Sequence, residues 1–342
     1  MEKLVSKKEL LTEHVAHVDV KAFDSRPIIK AYSKMSFQAR NLARASEIYD
    51  MMLADTDCAV ILCLAGSLFS SGLKEAVRMM VENNMVDAIV STGAVMVDQD
   101  FFEGLGFKHY VGDSRADDSI LQKNMIDRIY DTYIDEEDLR TCDMTISEIA
   151  DGMEPGAYSS REFINRMGEY LDEKDTGVKS VVHEAYKKNV PIFVPAFSDC
   201  SAGFGLIHHQ TRRKGKDCVH IDSVKDFLEL TEIKAREKDT GLFMVGGGVP
   251  KNFAQDTTVG AEILGKDVGM HKYAVQITVA DERDGALSGS TLKEAHSWGK
   301  VDLSYEQMVF CEATIALPLI ASAAYHGGNW RKRKPRSLNK IF

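Results

Sequence analysis

Short apolar runs rich in β-branched residues recur along this chain, separated by stretches of helical periodicity, and that alternation limits the fold more than any other feature. The runs are AVILCLAG (59–66), VDAIVSTGA (86–94), VPIFVPAF (190–197), CVHID (218–222), LFMVGGGV (242–249) and YAVQITVA (273–280). Near-continuous apolar strands of this length are buried on both faces, as in parallel sheets. Between the first two lies SGLKEAVRMMVENN, where Leu73, Ala76, Val77, Met80 and Val81 fall on one face of a helix. TGVKSVVHEAYKKN repeats the stripe with Val178, Val181, Val182 and Ala185. The alternation predicts an α/β fold, a doubly wound, mostly parallel Rossmann-like sheet with helices on both faces.

The segment from about Lys108 to Arg161 is rich in acids and turn residues and shows no strong strand pattern, so helices and loops beside the sheet are expected there. No repeat or low-complexity linker divides the chain. The expected organisation is an N-terminal extension (1–35), one catalytic domain (36–330) and a basic tail (331–342). The tail carries the only dense basic run, WRKRKPR, and reads as a solvated end. A net charge of -10 argues against nucleic acid as the main partner and suits a cationic small substrate. Six cysteines at 58, 63, 142, 200, 218 and 311 have no zinc spacing and read as reduced thiols, so no metal is expected. The charged N-terminus and the lack of a roughly 20-residue apolar run predict a cytoplasmic protein without a membrane span.

In such sheets ligands bind where strands end. Here five strand ends run into SLFSSG, TGAVMVDQD, SDCSAGFG, GGGVPKN and DERDGALSGS, small-residue loops that suit close approach to a dinucleotide. Neither G-x-G-x-x-G nor a P-loop is present. EAHSWGK (294–300) sets Glu294, Trp298 and Lys300 together. A lysine desolvated by an adjacent indole becomes a nucleophile near neutral pH, whereas the same residues on an open turn are a solvated lysine beside a packed tryptophan. Asp281, Glu282 and Asp284 offer carboxylates for an amine or a ribose hydroxyl. His208 and His209 have no partner at metal spacing and read as structural.

Taken in order, these blocks resemble deoxyhypusine synthase, and the bacterial deoxyhypusine synthase-like proteins in particular. SFQARNLARA (36–45), LAGSLFSSGLKEAVRMMVENNMVDAIVSTGA (64–94), VPIFVPAFSDCSAG (190–203), GGGVPKN (246–252), YAVQITVADERDGALSG (273–289), EAHSWGK and CEATIALPL (311–319) carry the likeness. The resemblance implies NAD as cofactor and an aminobutyl group passed from a polyamine, through a lysine imine, to an acceptor amine. It places Lys300 as the imine-forming residue, with Trp298 and Glu294 in the substrate pocket. Asp98 or Gln99 stands where the family has paired glutamates. For NAD it implies Ser67, Ser70, Ser71, Thr92, Gly93, Ala94, Asp199, Gly247, Gly248, Ala280, Glu312 and Ala313. It also implies a homotetramer with active sites at dimer interfaces.

Departures bear on substrate. Asn252 stands where the family has histidine, Phe204 and Leu287 replace two acids, and Gln276 replaces a tyrosine. Without those acids a distal ammonium loses its partners, which costs several kcal/mol on burial. Spermidine fits such a pocket poorly, so a polyamine or a related amine such as putrescine or agmatine is expected as donor, with a small-amine acceptor. The alternatives are a true deoxyhypusine synthase acting on a protein lysine and an inactive NAD- or amine-binding homologue. An NAD-dependent deacylase is remote, because no cysteine quartet is present.

Overall fold

The computed structural model describes residues 6–287 and 291–342; Ser288, Gly289 and Ser290 of the DGALSGS loop lie outside the described residues. Six strands form the main sheet: β1 (Cys58–Leu64), β2 (Ala88–Ser91), β3 (Ile192–Phe193), β4 (Asp239–Val245), β5 (Tyr273–Thr278) and β6 (Glu306–Phe310). All pair in parallel, in the order β6-β5-β4-β1-β2-β3. The chain builds outward from β1 through β2 to β3, then crosses to the other side of β1 and builds outward again. This is the doubly wound order, and it reverses between β1 and β4.

Side-chain alternation sorts the strands into two cores. Val60, Leu62 and Leu64 of β1, Phe243 and Val245 of β4, and Val275 and Ile277 of β5 share one apolar cluster. Against it pack helix α1 (Phe37–Ala54), through Ile48, Tyr49 and Met52, and helix α7 (Ala313–Gly327), through Leu317 and Ile320. Ile61 and Cys63 of β1, Leu242 and Met244 of β4, and Ala274 of β5 point the other way. They meet Ala254 of α5 (Gly248–Gln255) and Leu292 and Ala295 of α6 (Leu292–Ser297). Three further helices matter below: α2 (Lys74–Glu82) links β1 to β2, α3 (Val181–Lys188) precedes β3, and α4 (Ser201–Arg212) follows it. The stripe Ala76, Val77, Met80 and Val81 of α2 is wholly buried, as its spacing requires.

The structure corrects four expectations. The middle segment does contain strands: His109–Val111, Thr132–Asp135 and Ile126–Ile129 form a separate antiparallel sheet. CVHID forms a strand, but Val219–Ile221 pairs with Gly156–Tyr158 outside the main sheet. EQMVF supplies the edge strand β6, which the sequence reading passed over. Finally, the basic segment after Trp330 is no solvated tail. Arg333 is buried, donating to the carbonyls of Asn84 (2.9 Å), Met52 (3.2 Å) and Cys58 (3.2 Å) and pairing with the buried carboxylate of Asp87. Leu338 then enters the second core. A guanidinium with five donors can bind a carboxylate and several carbonyls at once, which a lysine cannot.

The N-terminal extension is likewise tied down, with Val15 N donating to His109 O and Val18 N to Gly72 O. No helix among the described residues is long and apolar enough to cross a membrane.

Arg333→Met leaves the buried Asp87 with only the more distant Arg336 Nε (3.6 Å) as a cationic partner, so an unfolding free-energy loss of about 3 kcal/mol is expected. The double variant Arg333→Met/Asp87→Asn removes that charge and should recover part of the loss. Urea denaturation of both variants checks this; equal losses would show that the carboxylate is not what makes the single change costly.

Candidate functional site

The reversal of strand order separates the loops after β1 and β4 and opens a cleft of about 330 Å³ at the carboxyl edge of the sheet. Its floor is main chain. Ala65 N donates to Val245 O (2.9 Å) and Gly246 N to Ile277 O (2.8 Å), so the strands stay paired one residue past their ends. Gly246 has φ of 83°, and a Cβ there would stand 2.5 Å from Ala65 O. Only glycine leaves that floor open.

One wall is the serine loop after β1, containing Ser67, Ser70 and Ser71. Gln99 holds it from behind, its side-chain oxygen accepting from Phe69 N (2.8 Å) and Ser70 N (3.0 Å). The opposite wall is Cys311, Glu312 and Ala313 at the start of α7, where amides left unpaired by helix geometry carry partial positive charge. Glu312 caps that helix through Thr314 N (2.8 Å). The turn Ile129–Thr132 of the antiparallel sheet overhangs the cleft.

The remaining residues predicted for NAD follow other strand ends on the same edge. Thr92, Gly93 and Ala94 come after β2, Asp199 after β3, Gly247 and Gly248 after β4, and Ala280 after β5. None of these lines the cleft as it stands. Yet the Thr92 hydroxyl and the Gln276 side-chain oxygen are buried without a hydrogen-bond partner among the described residues. Gln276 spends its amide on Gly246 O (3.0 Å). Orphaned buried polar atoms beside a cleft with a glycine floor and a helix start fit a dinucleotide.

Asp98 sits on the helical segment Ala94–Phe101 that follows β2, where its carboxylate accepts from Ser201 N (2.8 Å) at the start of α4. Burial pushes its pKa up to about 7, with the charges of Asp143 and Asp199 adding to the rise. Gly93 lies so close to Cys200 that a Cβ would stand 2.3 Å from the sulfur.

EAHSWGK lies elsewhere. Trp298 ends α6, Gly299 takes φ of 71°, and the Lys300 amide returns to Ala295 O (3.0 Å). Lys300 O accepts from His271 N (2.8 Å), two residues before β5 begins. The cleft touches the other end of that strand, so at about 3.3 Å per residue Lys300 and the cleft are roughly 20 Å apart in one chain.

The indole does not enclose Lys300, although the lysine side chain itself is only 14% exposed. The Trp298 ring is 67% exposed, and Lys300 Nζ stands 5.2 Å from its centre and 2.5 Å from Asp256 Oδ1 at the end of α5. Lys300 is thus an ion-paired ammonium lying beside a cation–π surface. Glu294 is exposed and caps α6, accepting from Thr291 N (2.6 Å), and these bonds hold its pKa below the usual range.

A fully buried lysine near Lys300, Lys251, is one that sequence reasoning missed; Lys234, buried to the same degree, donates to Thr240 instead. Lys251 is 1% exposed, donates to Leu287 O (2.8 Å), and burial brings its pKa down to about 8, with the charges of Glu294 and Lys300 also acting on it. GGGVPKN contained the signal, a lysine set between Pro250 and Phe253 on a helix that must face the core. Asn252 neighbours it, half-buried, and Asp284 is exposed in the turn leading to Leu287. Asp256 was missed for lack of any local pattern. His209 proved structural, its ring contacting Asp151 (2.7 Å) and accepting from Val219 N (3.1 Å). Among the described residues no group is placed to hold a metal.

Residues 27–324 match the family model for deoxyhypusine synthase. The chain belongs to the deoxyhypusine synthase family. It is 62% identical to a deoxyhypusine synthase-like protein of Chlorobaculum parvum, over all of this chain and 97% of that one. A deoxyhypusine synthase-like protein of Coxiella burnetii is 58% identical over 98% of this chain and 96% of the relative. The crystal structure of an Entamoeba histolytica protein assigned as a deoxyhypusine synthase superposes with a TM-score of 0.62 at 21% identity, covering 94% of this chain and 99% of that one. At that identity the likeness concerns the fold.

The raised pKa of Asp98 gives a pH test. Folded Asp98 holds its proton up to about 7, against about 3.9 when unfolded, so native stability falls as pH rises through that interval. Asp98→Asn keeps the acceptor for Ser201 N and removes the charge. Its unfolding free energy, from urea denaturation, should match the parent near pH 4 and exceed it at pH 8 by on the order of 2 kcal/mol. A constant gap across pH would show that Asp98 does not titrate in that range.

Proposed function

We propose that this protein is an NAD-dependent aminoalkyl transferase that takes a small amine as donor, holds its aminobutyl group as an imine on Lys300, and delivers it to a small amine acceptor. The observation that carries this reading is Lys300 held between Asp256 at the end of α5 and the Trp298 ring at the end of α6, with Lys251 buried within α5 close enough to feel its charge. NAD fits the cleft between the serine loop and the start of α7; bound there, it supplies hydride acceptance from the donor and hydride return to the product.

The chain's own residues supply the rest. Lys300 attacks only when neutral, and Asp256 Oδ1 at 2.5 Å is placed to take its proton. The freed amine then adds to the C=N carbon of the oxidised donor and displaces the leaving amine. The acceptor amine adds to the resulting lysine imine in the same way and releases Lys300. Lys251, buried nearby, is held toward its neutral form by burial, and the charge of Lys300 adds to that effect. Trp298 offers an aromatic face to the charged end of the substrate.

Two features support a short donor. Leu287 is fully buried and Phe204 is an exposed aromatic, so neither of these positions presents a carboxylate to a distal ammonium. The separation of about 20 Å between Lys300 and its own cleft favours a homotetramer in which a neighbouring copy supplies Lys300.

Incubation with NAD and putrescine, spermidine, agmatine or homospermidine, followed by borohydride and peptide mass spectrometry, tests the reading. An adduct on Lys300 with at least one amine is expected, and Lys300→Arg should abolish it. No adduct with any amine, despite NAD binding, would favour a binding protein that has lost turnover.

A further inference from the structure

The hairpin that overhangs the cleft has an unusual tip. Ile126–Ile129 and Thr132–Asp135 pair antiparallel, with Ile129 opposite Thr132, so Tyr130 and Asp131 alone make the turn. Tyr130 takes φ of 52°. Two-residue hairpins favour glycine, asparagine or aspartate at left-handed positions, because a bulky side chain is strained there. The strain is not relieved by packing, since Tyr130 is 72% exposed.

The tip is nonetheless held firmly. Arg128 Nη1 donates to Tyr130 O (2.9 Å) and is anchored through Nε to Asp118 (2.7 Å), while Gly112 N donates to Asp131 O (2.8 Å). A strained, solvent-facing aromatic on a braced turn gains nothing for the fold. It does line the cleft, across from the serine loop and the start of α7. Residues kept in strained conformations cluster where a ligand makes use of them.

We propose that Tyr130 is a stacking platform for a base ring of the dinucleotide, closing the cleft from the hairpin side. This rests on the reading that the cleft takes NAD. A planar π-surface brought down on one ring would bind it by stacking without discriminating among hydrogen-bond patterns. Adenine and nicotinamide share this chemistry.

Calorimetric titration of the full chain with NAD, AMP and NMN, using Tyr130→Phe and Tyr130→Gly, tests the assignment. Tyr130→Phe keeps the ring and should bind NAD as the parent does. Tyr130→Gly should bind NAD roughly tenfold more weakly. It should also melt a few degrees higher, because glycine accepts the left-handed turn without strain. The mononucleotide whose affinity falls in Tyr130→Gly identifies the stacked ring. NAD affinity within twofold of the parent in Tyr130→Gly would overturn the proposal. So would an equal loss in Tyr130→Phe, which would point to the hydroxyl instead. Failure of the cleft reading is distinct: the unmodified chain would then not bind NAD at all.

Discussion

The parallel pairing of β1 with β4, seven residues in register from Cys58–Asp239 to Leu64–Val245, is the constraint on which the rest of the molecule depends. Those strands are some 180 residues apart in the chain, and their union turns two outward-building halves into one sheet. Because the halves build in opposite directions from this seam, the loops after β1 and β4 diverge and leave the cleft between them. The same parallel geometry sends every return segment back to the far edge. EAHSWGK lies on such a return, between β5 and β6, and so arrives away from the cleft.

Buried charge marks the places where this fold gives up stability. Arg333 and Asp87 satisfy each other and the carbonyls at the strand starts, so their burial closes the amino edge of the sheet. Asp98 and Lys251 are different. Each is shifted toward its neutral form by burial, one upward and one downward, and each belongs to a separate part of the candidate site. A titratable group pushed toward neutrality is suited to proton movement near neutral pH. Tyr130 adds backbone strain to the same set.

The fold was legible where apolar patterning was strong. β2, β3 and β5 fall within runs recognised from β-branched content, β1 and β4 overlap theirs, and α2 lies within its predicted helical segment. β6 was not, because EQMVF is a half-buried edge strand with only Val309 fully inside, so its apolar signal is weak. The antiparallel sheet between His109 and Asp135 was hidden by acids on its outward face and by a turn built on Tyr-Asp in place of the usual Asn-Gly. WRKRKPR looked solvated because composition cannot say which arginine finds a buried carboxylate.

What the sequence by itself determined is the α/β class, the loops that end the strands, the family, and the presence of Glu294, Trp298 and Lys300 in one short motif. Those follow from local spacing and ordered motifs, which need no knowledge of what packs against what. Only the tertiary structure decided that Asp256 pairs with Lys300, that Lys251 is buried, that Gln99 braces the serine loop, and that Tyr130 hangs over the cleft. Each of these depends on contacts between segments 30 to 180 residues apart or on which face of an element is buried. Pairing across such separations is selected by the packing of the whole sheet, and no local pattern records it.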